Sequence, residues 1–276
     1  MFSRRQFLAV AAAPLAAKAP RGLKLGVMDG VLRQSGKPEA IALAKSFGME
    51  GLQVTLGRPT AGADRLPLED EEVQGRFIAE SKKHKLPIDA TYIDVLHVNC
   101  LKSDPLARTW VLRGIDITKK LHASILMTVF FGKCSVENRA ELDYVADVFK
   151  ELAPEAEKAG VILGFENLLN AEDNARAMDR VASKAFKIYY DAGNATNMVG
   201  VDAPKEIRWL GKDRICQFHF KDKSYLGEGK VDYRAVLQAV SDIKFEGYAN
   251  LETNTPSGSM ENDLRRNINY LRKLMS

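Results

Sequence analysis

Eight short apolar segments of the β type alternate with eight longer amphipathic segments along this 276-residue chain. Many of the short segments are almost continuously apolar, as in parallel strands that are covered on both faces. The predicted strands are Leu23–Met28, Gly51–Thr55, Pro87–Ala90, Ser124–Val129, Val161–Asn167, Phe186–Asp191, Ile215–Lys221 and Gly247–Glu252. The predicted helices are Pro38–Phe47, Glu69–Lys83, Arg108–Leu121, Asn138–Lys158, Asn174–Ser183, Pro204–Leu210, Tyr233–Ser241 and Met260–Leu274.

This alternation predicts a single (β/α)8 TIM barrel over residues 21–276. Strand–helix alternation is typical of parallel βαβ units, and eight units in about 250 residues are enough to close a barrel. A doubly wound open sheet is the alternative, but the first strand is not followed by the G-x-G-x-x-G sequence that would favour it. Because barrel active sites lie at the C-terminal ends of the strands, polar residues at those ends are the candidates for function.

Residues 1–20 have the composition of an export signal. Arg4 and Arg5 precede Phe7-Leu8 and an Ala-rich apolar stretch at residues 9–17. A charged segment followed by a short apolar one predicts a secretory signal, and the paired arginines resemble the twin-arginine type. Pro20 follows an A-x-A sequence at residues 17–19 and would obstruct a peptidase, so an uncleaved anchor is also open. We therefore expect an exported, periplasmic protein.

Charge, apolar runs and cysteines exclude several other classes. The formal net charge is +4, and the three basic residues of the leader, Arg4, Arg5 and Lys18, leave +1 for the rest, so nucleic acid is not an expected partner. No apolar run reaches the roughly 18 residues that span a membrane. The sequence leaves open whether the protein forms a homo-oligomer. The cysteines are odd in number and form no C-x-x-C pair, so we expect no disulfide framework: Cys100, Cys134 and Cys216.

The last four predicted strands each end in a residue that can bind a metal ion: Glu166, Asp191, His219 and Glu252. Successive members are 25, 28 and 33 residues apart, which is about one βα unit, so each residue lies at the same level of its own strand. Three carboxylates and one imidazole favour Mn²⁺, Mg²⁺ or Co²⁺, with Zn²⁺ still open. Buried carboxylates grouped without a cation would repel one another and stay protonated.

Several segments resemble the xylose-isomerase-like TIM barrels of the sugar phosphate isomerases and epimerases: GFEN at 164–167, YDAGN at 190–194, FHFKD at 218–222, LGEGKVDYRAVL at 226–237 and GYANLET at 247–253. The resemblance covers nearly the whole chain after residue 22. It implies that Glu166, Asp191, His219 and Glu252 bind a divalent metal, commonly manganese, and that Glu166 and Glu252 also act as acid and base. The implied reaction is proton transfer at a carbon of a keto-sugar through a metal-stabilised enediolate.

Further polar residues near the predicted strand ends are candidates for substrate contact. Lys221 lies two residues after His219, which places both on one strand face, and it could stabilise an enolate or form an ion pair with Asp222. The ketose 3-epimerases of this family carry a His where this chain has Asn194. They carry an Arg at a position where the nearest bases of this chain are Lys221 and Lys223. The sequence therefore supports the metal site better than it supports any particular substrate. The predicted substrate-binding residues are Gln53, His97, Lys133 and Asn194.

Three other functions compete with a sugar isomerase or epimerase. A lyase or hydratase acting on 3-keto-glycosides would use the same enolate to expel a β-leaving group. A barrel that binds a metal and a carbohydrate without catalysis is the second, although retention of both Glu166 and Glu252 argues against it. An AP-endonuclease-like nuclease is the third, but its trinuclear zinc site is rich in histidine and this chain has four histidines.

Overall fold

Eight parallel strands close into a barrel in the order in which they occur along the chain, and the last strand pairs with the first. The structure is a computed structural model that describes residues 20–60 and 63–276, so the export signal predicted at residues 1–20 lies, apart from Pro20, outside the described residues. The predicted TIM barrel is confirmed. The strands are β1 Leu23–Met28, β2 Gly51–Thr55, β3 Ile88–Tyr92, β4 Ile125–Val129, β5 Ile162–Glu166, β6 Phe186–Asp191, β7 Ile215–Phe220 and β8 Gly247–Leu251.

One long helix follows each strand on the outside of the barrel. Within the described residues, no helix is long and apolar enough to cross a membrane. Asn138 illustrates how the helix starts are fixed, because its side chain accepts a hydrogen bond from the Glu141 amide at the start of the fourth helix. The helices are α1 Glu39–Ser46, α2 Glu71–His84, α3 Leu106–Lys120, α4 Arg139–Ala159, α5 Ala171–Val181, α6 Ala203–Leu210, α7 Tyr233–Asp242 and α8 Met260–Met275.

Alternation along β5 separates the core from the site. Phe165 points outward and packs against Phe149 of α4, with ring centroids 5.8 Å apart, while the next residue, Glu166, points into the barrel. Phe130 and Phe186 complete this aromatic cluster, and all four rings are buried. Truncating such a ring typically costs about 3–5 kcal/mol, so the cluster holds the end of β5 rigidly in place.

Cys100 and Cys134 form a disulfide, with their Cα atoms 4.9 Å apart. Cys100 lies in the loop after β3, and Cys134 lies in the short 3-10 turn Gly132–Cys134 after β4. The sequence analysis expected no disulfide framework, and it did not foresee this single bridge. The reason is that closure of the barrel brings neighbouring strand-end loops together, which a separation of 34 residues does not reveal. Cys216 is a free thiol.

Candidate metal centre

Glu166, Asp191, His219 and Glu252 converge at the C-terminal end of the barrel. One possible ligand atom from each lies within 4.8 Å of those of the other three. The Nδ1 atom of His219 is 2.9 Å from Glu166 Oε1, 3.1 Å from Glu252 Oε2 and 4.0 Å from Asp191 Oδ2. Three of the residues are buried, and the side chain of Glu252 is 33% exposed. The structure therefore brings together the four residues that the sequence nominated.

The register of the parallel strands produces this convergence. Asp191, the last residue of β6, is the register partner of His219 in β7, and His219 is the partner of Asn250 in β8. Glu166 is the last residue of β5. Glu252 directly follows β8, and its amide donates to the carbonyl of Phe220. Because the strands are parallel, one strand end after another contributes a side chain to the same end of the barrel.

The cluster concentrates negative charge in a place with little solvent. Burial raises the pKa of Asp191 to about 7, although the nearby Lys221 opposes the shift. Burial would also raise the pKa of Glu252, but His219 and Lys221 hold it well below its usual range. Burial disfavours protonation of His219, yet Glu166 and Glu252 raise its pKa to about 10. The carboxylates thus require positive charge beside them.

The donor set fits a hard divalent ion. Three carboxylates and one imidazole nitrogen are ligands that manganese accepts, and thiolates are not among them. Two ligand atoms that share a small divalent ion at about 2.1 Å lie roughly 3–4 Å apart. The distances from His219 Nδ1 to the carboxylate oxygens, 2.9–4.0 Å, are in this range. The four side chains could therefore hold one ion without a rearrangement of the barrel.

Lys221 contacts the presumed ligands rather than Asp222. Its Nζ is 2.9 Å from Asp191 Oδ2 and 2.7 Å from Glu252 Oε2. Asp222 accepts hydrogen bonds from the side chain of Asn197 and from the amides of residues 223 and 231. A Cβ on Gly229 would lie 2.2 Å from the Asp222 carboxylate, so this position needs glycine. Asp222 therefore anchors the loop between β7 and α7, a role that the sequence analysis missed.

A polar cavity of about 520 Å³ opens beside the cluster. It is lined by the loops after β1, β6, β7 and β8, and its wall includes Glu252, Lys221, Lys223 and Asn194. The amide of Asn194 donates to Asp191 Oδ1 at 2.8 Å, which ties the cavity wall to the cluster. A cavity of this size is suited to a small molecule. Of the four predicted substrate-binding residues, only Asn194 lines it.

His97 and Lys133 lie on the loops after β3 and β4. His97 Nε2 is 2.7 Å from the Tyr92 hydroxyl, and its ring stacks on Phe131 at a centroid distance of 6.0 Å. The Phe131 ring centroid is 5.9 Å from Lys221 Nζ, so His97 is connected to the cluster through Phe131. Lys133 is exposed on the turn that carries Cys134. The sequence analysis did not identify Phe131.

Gln53 lies behind His219 and not at the cavity. It is fully buried, and its Oε1 is 2.7 Å from His219 Nε2. Its Nε2 donates to the sulfur of Met127 at 3.2 Å. Its position near the end of the second predicted strand is the signal that led to Gln53, but its partner became visible only in three dimensions.

Asp89 forms a second buried polar group inside the barrel, which the sequence analysis missed. Its Oδ1 accepts from Gln217 Nε2 at 2.7 Å and from Asn250 Nδ2 at 2.8 Å. Its Oδ2 has no hydrogen-bond partner among the described residues, and burial raises the pKa of Asp89 to about 7. A Cβ on Gly51 would lie 2.2 Å from that oxygen, so the glycine makes room for the carboxyl.

The barrel and its strand-end cluster define a class. The chain belongs to the xylose isomerase-like TIM barrel family, whose family model matches residues 41–274. A curated relative is the 2-epi-5-epi-valiolone 7-phosphate 2-epimerase of Actinoplanes sp., which is 25% identical over 228 residues, or 79% of this chain and 82% of that protein.

Solved structures show the same fold. The D-allulose 3-epimerase from Methylomonas sp. has a TM-score of 0.73 at 16% identity, over 93% of this chain and 99% of that one. The 3-keto-D-glucoside 4-epimerase from E. coli has a TM-score of 0.74 at 15% identity, over 91% of this chain and 99% of that one. All three of these similar proteins are epimerases by name.

Proposed function

We propose that this protein is a divalent-metal-dependent isomerase or epimerase that acts on a keto-sugar or a related saccharide. The observation that carries the proposal is the convergence of Glu166 and Glu252 on one cluster with Asp191 and His219, next to a polar cavity of about 520 Å³. The epimerase activities of the similar proteins support the same class of reaction. Manganese is the ion that we propose, because the donor set is mostly oxygen.

The two glutamates are the proposed proton-transfer groups. An ion held by the four residues would act as a Lewis acid that acidifies the C–H bond beside a substrate carbonyl. Glu252 lines the cavity, and its lowered pKa keeps it ionised at neutral pH and able to accept a proton. Glu166, deeper in the barrel, is the second carboxylate that epimerisation requires. Lys221 holds Glu252 in position and offers an N–H donor to a substrate oxygen.

The remaining site residues are proposed to bind substrate or to shape the cavity wall. Asn194 lines the cavity, and its Nδ2 has no hydrogen-bond partner among the described residues. A buried donor of this kind usually finds a water or a ligand oxygen. His97 and Lys133, on the loops after β3 and β4, are proposed to contact the part of the substrate that extends away from the ion.

The test is hydrogen exchange at carbon. Manganese-loaded protein is incubated in D₂O with ketoses and with 3-keto-glycosides, and NMR and mass spectrometry follow deuterium incorporation and products. We expect exchange and an isomeric sugar with the loaded protein, and neither in His219→Ala or Asp191→Ala, in which metal binding should collapse. Release of an aglycone would favour the lyase reaction instead. Wild-type metal stoichiometry in both variants would contradict the metal assignment.

We also propose that the protein is exported to the periplasm. The paired Arg4 and Arg5 before Phe7-Leu8 and the Ala-rich stretch motivate this proposal. The Cys100–Cys134 disulfide supports it, because disulfides persist in oxidising compartments and are rare in reducing ones.

A further inference from the structure

We infer that Gln53 is a positioning residue for the metal centre, because its side-chain carbonyl holds His219 with Nδ1 turned toward the three carboxylates. The inference rests on the metal site of the proposed function. Gln53 lies on β2, a strand that carries none of the four presumed ligands, and it orients His219 on β7. This role replaces the substrate contact that the sequence predicted for Gln53.

The two ring nitrogens of His219 face different partners. Nδ1 faces Glu166 and Glu252 at 2.9 and 3.1 Å, and Nε2 faces Gln53 Oε1 at 2.7 Å. A neutral imidazole offers a lone pair on one nitrogen only if the other nitrogen carries the proton. If Nδ1 is the ligand atom, Nε2 must donate, and its partner must be an acceptor. Gln53 Oε1 is that acceptor.

Met127 determines which end of the Gln53 amide faces His219. A thioether sulfur accepts hydrogen bonds weakly and cannot donate them. Gln53 Nε2 lies 3.2 Å from Met127 Sδ, so the amide donates to the sulfur and its oxygen faces the imidazole. In the reversed orientation, the amide oxygen would face a sulfur that carries no hydrogen. The hydrogen bond to Met127 would then be lost whichever nitrogen of His219 is protonated, which selects the observed orientation.

Burial excludes a direct role for Gln53 in substrate binding. The residue is 0% exposed and does not line the cavity. Burying an amide without hydrogen-bond partners is unfavourable, so its two hydrogen bonds are what make a glutamine acceptable here. The Tyr189 ring also packs edge-on against His219, with centroids 4.6 Å apart. The hydrogen bond to Gln53 and this ring contact thus add to the contacts of Nδ1 with Glu166 and Glu252 in holding the imidazole before any ion binds.

The first experiment compares manganese affinities, measured by EPR titration of free Mn²⁺. Gln53→Met keeps the length of the side chain and removes the acceptor, and we expect the Kd for Mn²⁺ to rise by about 10–100-fold, the usual effect of losing such a partner. Gln53→Glu keeps an acceptor at Nε2, and its Kd should stay within a few-fold of the wild type. An unchanged Kd in Gln53→Met would overturn the inference, as would an equal loss in Gln53→Glu.

Gln74→Met is the matched control. Gln74 is another buried amide, on α2, and it donates to the carbonyl of Leu68 but to none of the four ligands. This variant should lose stability without a change in the Kd for Mn²⁺. If its Kd rises as much as that of Gln53→Met, general loosening of the barrel explains both effects and the inference fails.

The second experiment needs no variant. Histidine labelled with ¹⁵N in the Zn²⁺-loaded wild-type protein should show a protonated, hydrogen-bonded Nε2 and a ligated Nδ1 for His219. A ligated Nε2 would overturn the inference even if Gln53→Met failed to fold. Failure of the proposed function has a different signature: the wild-type protein would bind the ion and transfer no carbon-bound proton, which leaves the comparison of affinities intact.

Discussion

The ammonium of Lys221 forms an ion pair with the carboxylate of Glu252, with Nζ and Oε2 2.7 Å apart. The same ammonium lies 2.9 Å from Asp191 Oδ2, so it bridges two of the presumed metal ligands. A lysine in this position offsets part of the negative charge of the cluster and fixes the direction of Glu252. It therefore influences both the affinity for a cation and the group proposed to move the proton.

Lys221→Met should bind Mn²⁺ more tightly and transfer protons more slowly. Removing a positive charge a few ångström from a divalent ion should lower the Kd by at least about fivefold, because like charges at that range repel by more than 1 kcal/mol in a partly screened site. The slower exchange follows from the loss of the contact that orients Glu252. Metal titration and C–H exchange measure the two effects. Lys230→Met, an exposed lysine of the same loop that does not line the cavity, is the control. A weaker affinity in Lys221→Met would contradict this account.

Glu166→Gln and Glu252→Gln should separate metal binding from proton transfer. Each substitution keeps the size of the side chain and one oxygen ligand but removes the basic carboxylate. Loss of a general base typically costs about 10²–10⁴ in rate, and metal occupancy at saturating Mn²⁺ should fall much less. Occupancy and C–H exchange are measured on the same samples. Wild-type exchange rates in both metal-loaded variants would leave the glutamates with a ligand role only.

Asp89→Asn should remove a pH dependence of stability. The pKa of Asp89 is raised by burial to about 7 in the folded protein and is near 3.9 when unfolded. Between these values the folded state binds the extra proton, so its contribution to the free energy of unfolding falls as pH rises from about 4 to 7, by on the order of 4 kcal/mol. Urea unfolding across this range should show a smaller decline for Asp89→Asn.

The matched control for that experiment is Asp116→Asn, an exposed carboxylate on α3 whose side chain is 60% exposed. It should follow the wild-type curve. A parallel decline in Asp89→Asn and the wild type would show that Asp89 is not the group whose protonation is linked to folding.

Loss of the Cys100–Cys134 disulfide should destabilise the protein and loosen the loops after β3 and β4. A bridge across 34 residues typically contributes about 2–4 kcal/mol, mainly by restricting the unfolded chain. The double variant Cys100→Ala, Cys134→Ala should show that decrease in chemical unfolding. Cys216→Ala removes the free thiol and is the control for the loss of a cysteine. Equal stability of the double variant and the wild type under oxidising conditions would be incompatible with a formed bridge.

Replacing Arg4 and Arg5 by lysine should block export. The twin-arginine type of signal depends on the arginine pair itself, whereas lysine preserves only the charge. Fractionation of a reporter fusion should place the wild-type leader in the cell envelope and the double-lysine variant in the cytoplasm. A double-lysine fusion that still reaches the envelope would rule out the twin-arginine route.

The sequence by itself determined the architecture and the four residues that cluster at the strand ends. Strand and helix periodicities are local properties, and eight repeats of one βα unit leave few topologies open. Once a barrel is predicted, the end of each strand has a known location, so Glu166, Asp191, His219 and Glu252 could be grouped without coordinates.

Only the tertiary structure decided which side chains pair inside and around that barrel. Gln53 and His219 are 166 residues apart, and Asp89 and Gln217 are 128 apart. Lys221 forms its ion pair with Glu252 and not with its sequence neighbour Asp222, and Cys100 forms a disulfide with Cys134. Each pairing depends on the register between strands and on the direction of two particular rotamers across the barrel or its rim. The periodicity of the sequence predicts which face of a strand a residue lies on. Which residue it contacts at hydrogen-bond distance is determined by closure of the sheet and by the packing around it.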